Sequence, residues 1–228
     1  MFIEKRKFKN SKGSTLSAIY EGENRNAKVV VLCHGYESSK DKETNRLLAE
    51  KLVERDISVL RFDFTGHGQS EGNMADITPL QELDDLNCAV KNLGKEDPGL
   101  YGSSFGGYIA LLYASDNSIS ALALKAPVSD YTDKESSFVA ARSSQFFEDV
   151  KSINLYKKVK NISCPCLIIH GDRDDVVPLR QSKKLYQSLV CDKRLQVIHG
   201  ADHDMKGEYL EKTYNLIADF FKRNLLTH

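Results

Sequence analysis

The chain has 228 residues, and its 32 Lys plus Arg are matched by 32 Asp plus Glu. With 41% hydrophobic and 28% charged residues it can bury a full core, which argues against disorder. Zero net charge and no basic stripe argue against nucleic-acid binding and against electrostatic attachment to an anionic membrane.

Strand-like and helix-like segments alternate along the chain. Residues 2–9 and 15–21 flank a turn of Asn10, Ser11, Lys12 and Gly13, which predicts an antiparallel hairpin at a sheet edge. Residues 28–33 (KVVVLC) form a continuous β-branched run, the pattern of a buried parallel strand. Residues 42–55 carry Leu47, Leu48 and Leu52 at helical spacing, and 57–62 is the next strand. Over 79–93, Leu80, Leu83, Leu86, Val90 and Leu93 make one helical stripe, with Thr78 as N-cap and Pro79 in the first turn.

Residues 99–102 complete the alternation as a strand, although Pro98 and Gly99 are poor strand residues. Then follow a helix at 104–115, strands at 119–125 and 164–170, a helix at 179–189, a strand at 194–199 and a helix at 207–224. The order predicts a mostly parallel sheet covered by helices on both faces, within one domain over 1–228. Residues 127–163 are too long for an ordinary connection and are expected to form a short insert. Phe138, Phe146 and Phe147 in it fit a helix face, for which core or pocket lining is a stronger reading than membrane contact.

The five cysteines are odd in number and scattered, and Cys164-Pro-Cys166 lacks the redox spacing. Cys33, Cys164 and Cys166 read as small buried hydrophobes. The first ten residues lack an apolar leader and no run approaches a membrane span, so a reduced cytoplasmic setting is expected.

Gly102-Ser103-Ser104-Phe105-Gly106 matches G-x-S-x-G, where a sharp strand-to-helix turn lifts a serine hydroxyl above a sheet. Only Ser104 has glycine two residues before and after it, which makes it the candidate nucleophile. A serine nucleophile needs a base and an orienting acid. Asp172, Asp174 and Asp175 follow one later strand, and His199 and His203 follow the next. All lie past C-terminal strand ends, where open α/β sheets build their sites. Chain order favours His203 as base, since His199 ends its strand and reads as packing there. His34-Gly35-Tyr36 closes a strand and can supply an oxyanion donor, the backbone N–H of Tyr36, beside that of Phe105. The glycine-rich loop 61–70 reads as structural, with Asp63 accepting backbone hydrogen bonds.

The segments LCHGYESSK, LRFDFTGHGQSEG, GSSFGGYIALL, KAPVSD, IIHGDRDDVVP and HGADHD run in order from residue 32 to 204. With them the chain resembles the α/β-hydrolase superfamily, in particular the serine-aminopeptidase-like esterases that include feruloyl and cinnamoyl esterases. The resemblance implies the α/β-hydrolase fold, with residues 127–163 as its cap. Through G-x-x-D-x-x-V-P it selects Asp174 as the acid, and G-x-x-H places the base at His203. It implies a serine hydrolase that cleaves small-molecule esters through an acyl-enzyme, with no cofactor and no metal. A thioesterase, amidase or aminopeptidase would use the same triad, and a non-catalytic small-ligand binder is the reading from another class. A homodimer through the cap or an edge strand is compatible with this pattern.

Overall fold

The computed structural model describes residues 1–133 and 143–226. Eight strands form one sheet: β1 (Phe2–Lys9), β2 (Thr15–Gly22), β3 (Val29–Cys33), β4 (Ser58–Phe62), β5 (Gly99–Ser103), β6 (Ala121–Lys125), β7 (Cys166–Gly171) and β8 (Lys193–Ile198). Their spatial order is β1-β2-β4-β3-β5-β6-β7-β8. The pairs β1–β2 and β2–β4 are antiparallel, and every pair from β4–β3 to β7–β8 is parallel. The expected hairpin therefore forms one edge of the sheet. Asn10 shapes its turn, with Oδ1 accepting the N–H groups of Lys12 and Ser14.

Alternation along the strands sends side chains to two cores. Val29, Val31 and Cys33 face one layer, which holds α2 (Pro79–Leu93), α3 (Phe105–Asp116), α4 (Ser144–Ser152), α5 (Leu155–Lys158) and α6 (Leu179–Ser188). Val30 and Leu32 face the other, which holds α1 (Glu43–Val53) and α7 (Glu208–Leu226). The central strands are buried on both faces, which explains why β3, β4 and β6 lack polar alternation.

Thr78 caps α2 as expected, its hydroxyl accepting the Gln81 N–H at 3.3 Å. Leu80 departs from the predicted stripe: it is 46% exposed, because α2 packs on the sheet through Leu86, Ala89, Val90 and Leu93. The weak strand signal at Pro98-Gly99 has a packing cause. A Cβ on Gly99 would lie 2.9 Å from the ring of Phe221 on α7 and 3.0 Å from Val30 Cγ2. Glycine here lets α7 lie close against β5.

Residues 127–163 contribute α4 and α5. Phe146 is buried with its ring 5.0 Å from Tyr131 and 6.3 Å from Phe105. Phe147 is half-buried against the same core, and Phe138 lies outside the described residues. Asp149 of α4 accepts the Leu80 N–H at 3.3 Å, setting a carboxylate at the α2 N-terminus. All five cysteines are free, with Cys33, Cys164 and Cys166 buried. No helix among the described residues is long and apolar enough to cross a membrane.

Candidate active site

Ser104 stands between β5 and α3 with φ 52° and ψ −116°, a left-handed backbone that serine rarely adopts. Such a residue stores on the order of 1–3 kcal/mol of strain and needs rigid surroundings to persist. Three contacts supply them. Its N–H donates to the Lys125 carbonyl at 2.9 Å, and its own carbonyl accepts from Gly107 at 3.0 Å and Val128 at 3.1 Å. The two flanking glycines are sterically required. A Cβ on Gly106 would sit 2.3 Å from the Cys33 and His34 carbonyl oxygens. One on Gly102 would sit 2.6 Å from Gly106 O and Gly107 Cα. The start of α3 therefore presses directly on the end of β3.

Asp174 follows β7. Its Oδ1 accepts the N–H groups of Val176 at 2.9 Å and Val177 at 2.8 Å, while Oδ2 lies 2.7 Å from His203 Nδ1. The same Oδ2 is 3.0 Å from Nε2 of the fully buried His170. His170 Nε2 also faces the Val177 carbonyl at 2.9 Å, so this nitrogen carries the proton, and Nδ1 accepts from Ser182 Oγ at 2.7 Å. Burial alone would raise the Asp174 carboxyl, but the hydrogen bonds from His170 and His203 outweigh it and hold the group well below the usual carboxylate range. With Asp174 ionised, His203 donates from Nδ1 and keeps a lone pair on Nε2, the tautomer a general base needs.

Ser104 and His203 line one cavity of about 480 Å³, together with Gly35, Tyr36 and Lys125. Ser104 is 5% exposed, and its Oγ makes no hydrogen bond among the described residues. The structure thus brings Asp174 and His203 into contact and sets Ser104 on the cavity that His203 lines, without closing a Ser104–His203 hydrogen bond among the described residues. Such contacts commonly tighten only once substrate is bound.

Phe105 is the first residue of α3, and Tyr36 follows Gly35, whose Cβ position lies 3.5 Å from Ser104 Cβ. The 34–36 turn is fixed from below by His34. Its Nδ1 donates to Gly35 O at 2.7 Å, and Nε2 accepts the Phe64 N–H at 3.2 Å. Burial, reinforced by neighbouring His67, pushes His34 down to about 4, so the ring is neutral in this role. The adjoining loop is held by Asp63, which accepts the N–H groups of Lys40 at 2.6 Å and Gln69 at 2.9 Å. That agrees with its structural reading. The sequence did not disclose its buried partner, the Lys40 ammonium at 2.8 Å.

The other acids and histidines divide clearly. Asp172 accepts the Gly200 N–H at 2.7 Å and contacts His199 Nδ1 at 2.8 Å, away from Ser104's cavity lining. Asp175 is exposed. The expectation that His199 packs is wrong: its side chain is 87% exposed, because β8 is the far edge strand and ends at Ile198.

Sequence reasoning passed over two residues. His170 lies in the apolar strand β7, yet it is the second histidine on Asp174; a histidine placed four residues before the acid was the available signal. Lys125 ends β6 with its side chain 5% exposed, and Nζ donates to the His203 carbonyl at 2.9 Å. Its own carbonyl receives the Ser104 N–H, so one residue ties both loops together. Burial lowers its ammonium to about 8, although Asp204, Asp174 and Asp202 act in the opposite direction.

An eight-stranded, mostly parallel sheet with an antiparallel N-terminal pair, helices on both faces and a strained serine at a strand-to-helix turn defines an α/β-hydrolase. The family model described as "Serine aminopeptidase, S33" matches residues 24–156 and 144–209, and the chain belongs to this family of hydrolases. It is 26% identical over 201 residues to the uncharacterized protein YfhR of Escherichia coli O157:H7, covering 83% of this chain and 70% of that one. Among the relatives compared, the chain spans from 48% to 73% of their length. In fold it is similar to Est1E of Butyrivibrio proteoclasticus, solved with ferulic acid bound (TM-score 0.87, 21% identity, 96% of this chain and 98% of that one). It is likewise similar to the Pyrococcus furiosus esterase PF2001 (TM-score 0.80, 23% identity, 98% and 91%).

Proposed function

We propose that the chain is a serine carboxylesterase in which Ser104 is the nucleophile, His203 the general base and Asp174 the orienting acid. The observation that carries this reading is the 2.7 Å contact between His203 Nδ1 and Asp174 Oδ2, set on the same cavity as the strained Ser104. In this mechanism His203 Nε2 takes the Ser104 proton as Oγ attacks the ester carbonyl. The N–H groups of Tyr36 and Phe105 hold the oxyanion, and Asp174 stabilises the imidazolium. His203 then protonates the departing alcohol, and water admitted on the same side hydrolyses the acyl-enzyme. The esterase names among the fold neighbours agree with ester substrates. Residues 127–163 would act as the cap over the pocket within a single domain, with Phe146 anchoring α4 above Phe105.

Purified protein should hydrolyse 4-nitrophenyl esters. Ser104→Ala or His203→Ala should lower turnover on the order of 10⁴–10⁶, and Asp174→Ala by less. Wild-type rates from Ser104→Ala protein would refute the assignment. A panel of matched thioesters and amides separates the alternative acyl transfers. Ligand binding without turnover on any of them would make the chain a non-catalytic binder.

A further inference from the structure

Lys125 sits oddly for a residue whose ammonium makes one hydrogen bond among the described residues, to a backbone carbonyl. Its ammonium carries three donors, and the His203 carbonyl uses one. It makes no ion pair among the described residues, although it is buried. An ammonium buried without a direct ion pair is costly even where carboxylates act on it from a distance, as Asp204, Asp174 and Asp202 do here, and structures retain such a group where something else meets its donors. The lowered proton affinity of Lys125 is the other face of that cost.

Its surroundings favour an anion from outside the chain. The cavity it shares with Ser104 and His203 is also lined by Lys42 and Lys206, against the carboxylates of Glu37 and Asp204. Asp204 pairs with Lys206 at 3.5 Å, and Asp204, Asp174 and Asp202 act on Lys125 only through space, so its two remaining donors are left to the cavity among the described residues, which Lys42 also lines. Lys42 also stands at the N-terminus of the eleven-residue helix α1, where no side chain caps the first turn. Thr44 and Asn45 of that turn line the same cavity, so the positive end of the helix adds to the two lysines.

We propose that the substrate carries an anionic group and that Lys125, with Lys42 and the start of α1, holds it beside Ser104. This rests on the esterase reading and narrows it to anionic esters. A charge-assisted contact of this kind favours the anionic ester by about tenfold or more in kcat/KM, mainly through KM.

Two matched pairs test this on the intact protein. Mono-(4-nitrophenyl) adipate and 4-nitrophenyl hexanoate differ only in a terminal carboxylate or methyl on the acyl side. The pair 3-carboxyphenyl acetate and phenyl acetate moves the charge to the leaving group. The anionic member of at least one pair should be preferred. Lys125→Met should slow both members, because the His203 anchor is lost, and should also abolish the preference. Lys42→Ala, at an exposed position, should reduce the preference while leaving the fold intact. No preference in either pair, or one unchanged in both variants, overturns the proposal while leaving the esterase reading in place. If no ester is turned over, the esterase reading fails, and calorimetry with monomethyl adipate decides the anion site alone. Binding lost in Lys125→Met and weakened in Lys42→Ala supports it, and no binding to wild-type protein overturns it.

Discussion

At Asp174 the structure gives one carboxylate two histidines, and they do different work. His203 borders the cavity and holds its tautomer through Asp174, whereas His170 is buried and steadies the carboxylate from behind. Asp174→Asn should keep the geometry but blur the tautomer of His203, lowering kcat by roughly 10⁴ with little change in KM. The pH dependence of anion selectivity belongs to Lys125. It is charged below its folded value of about 8, so preference for an anionic ester should fade as pH rises through that value. Asp174, Asp202, Asp204, Lys42 and the His203 loop all face this ammonium and shape the transition. A kcat/KM ratio for a matched ester pair, measured from pH 6 to 10, would reveal it; a flat ratio would contradict it. Among the candidate site residues, Ser104 and His203 were picked out by motif and chain order and Asp174 through the family resemblance, because these signals lie in short local motifs. His170 and Lys125 were not, because each sits at the end of an apolar strand and acts through contacts made between separate strands and loops.

Elements whose signals are local were readable almost to the residue. α2 begins at Pro79 behind its Thr78 cap and ends at Leu93, before Gly94 in the left-handed region, as its sequence indicates. β5 was the hard element, since Gly99 serves α7 rather than its own strand. The same contact yields a prediction. Gly99→Ala places a methyl within 3.1 Å of Phe221 and Val30, in a close-packed interior, and should cost about 1–3 kcal/mol in denaturant unfolding. An unchanged midpoint would mean that α7 yields freely. The exposure of Leu80 and His199 could not be read from periodicity, because which flank of a helix or edge strand meets solvent is decided by its neighbours.

For the molecule as a whole, two buried groups set opposite pH limits. His34 is held neutral at about 4 against an ordinary 6.5, so the folded state binds fewer protons than the unfolded one between these values, and stability is lost as pH falls through that window. Glu82 is fully buried with neither carboxyl oxygen hydrogen-bonded among the described residues, and burial pushes it well above 4.5, with Asp85 adding to the shift. Its folded form keeps a proton that the unfolded chain releases, so its contribution to stability falls as pH rises above 4.5. Glu82→Gln should therefore raise Tm relative to wild type more at pH 8 than at pH 5. An equal difference at both values would show that Glu82 ionises freely in the fold.

The central claim is an assembled serine nucleophile, and covalent labelling with a fluorophosphonate probe tests it without requiring the natural substrate. Mass spectrometry should locate the adduct on Ser104, with labelling lost in His203→Ala protein and after heat unfolding. A folded, unlabelled protein, or an adduct on any other residue, would contradict the account.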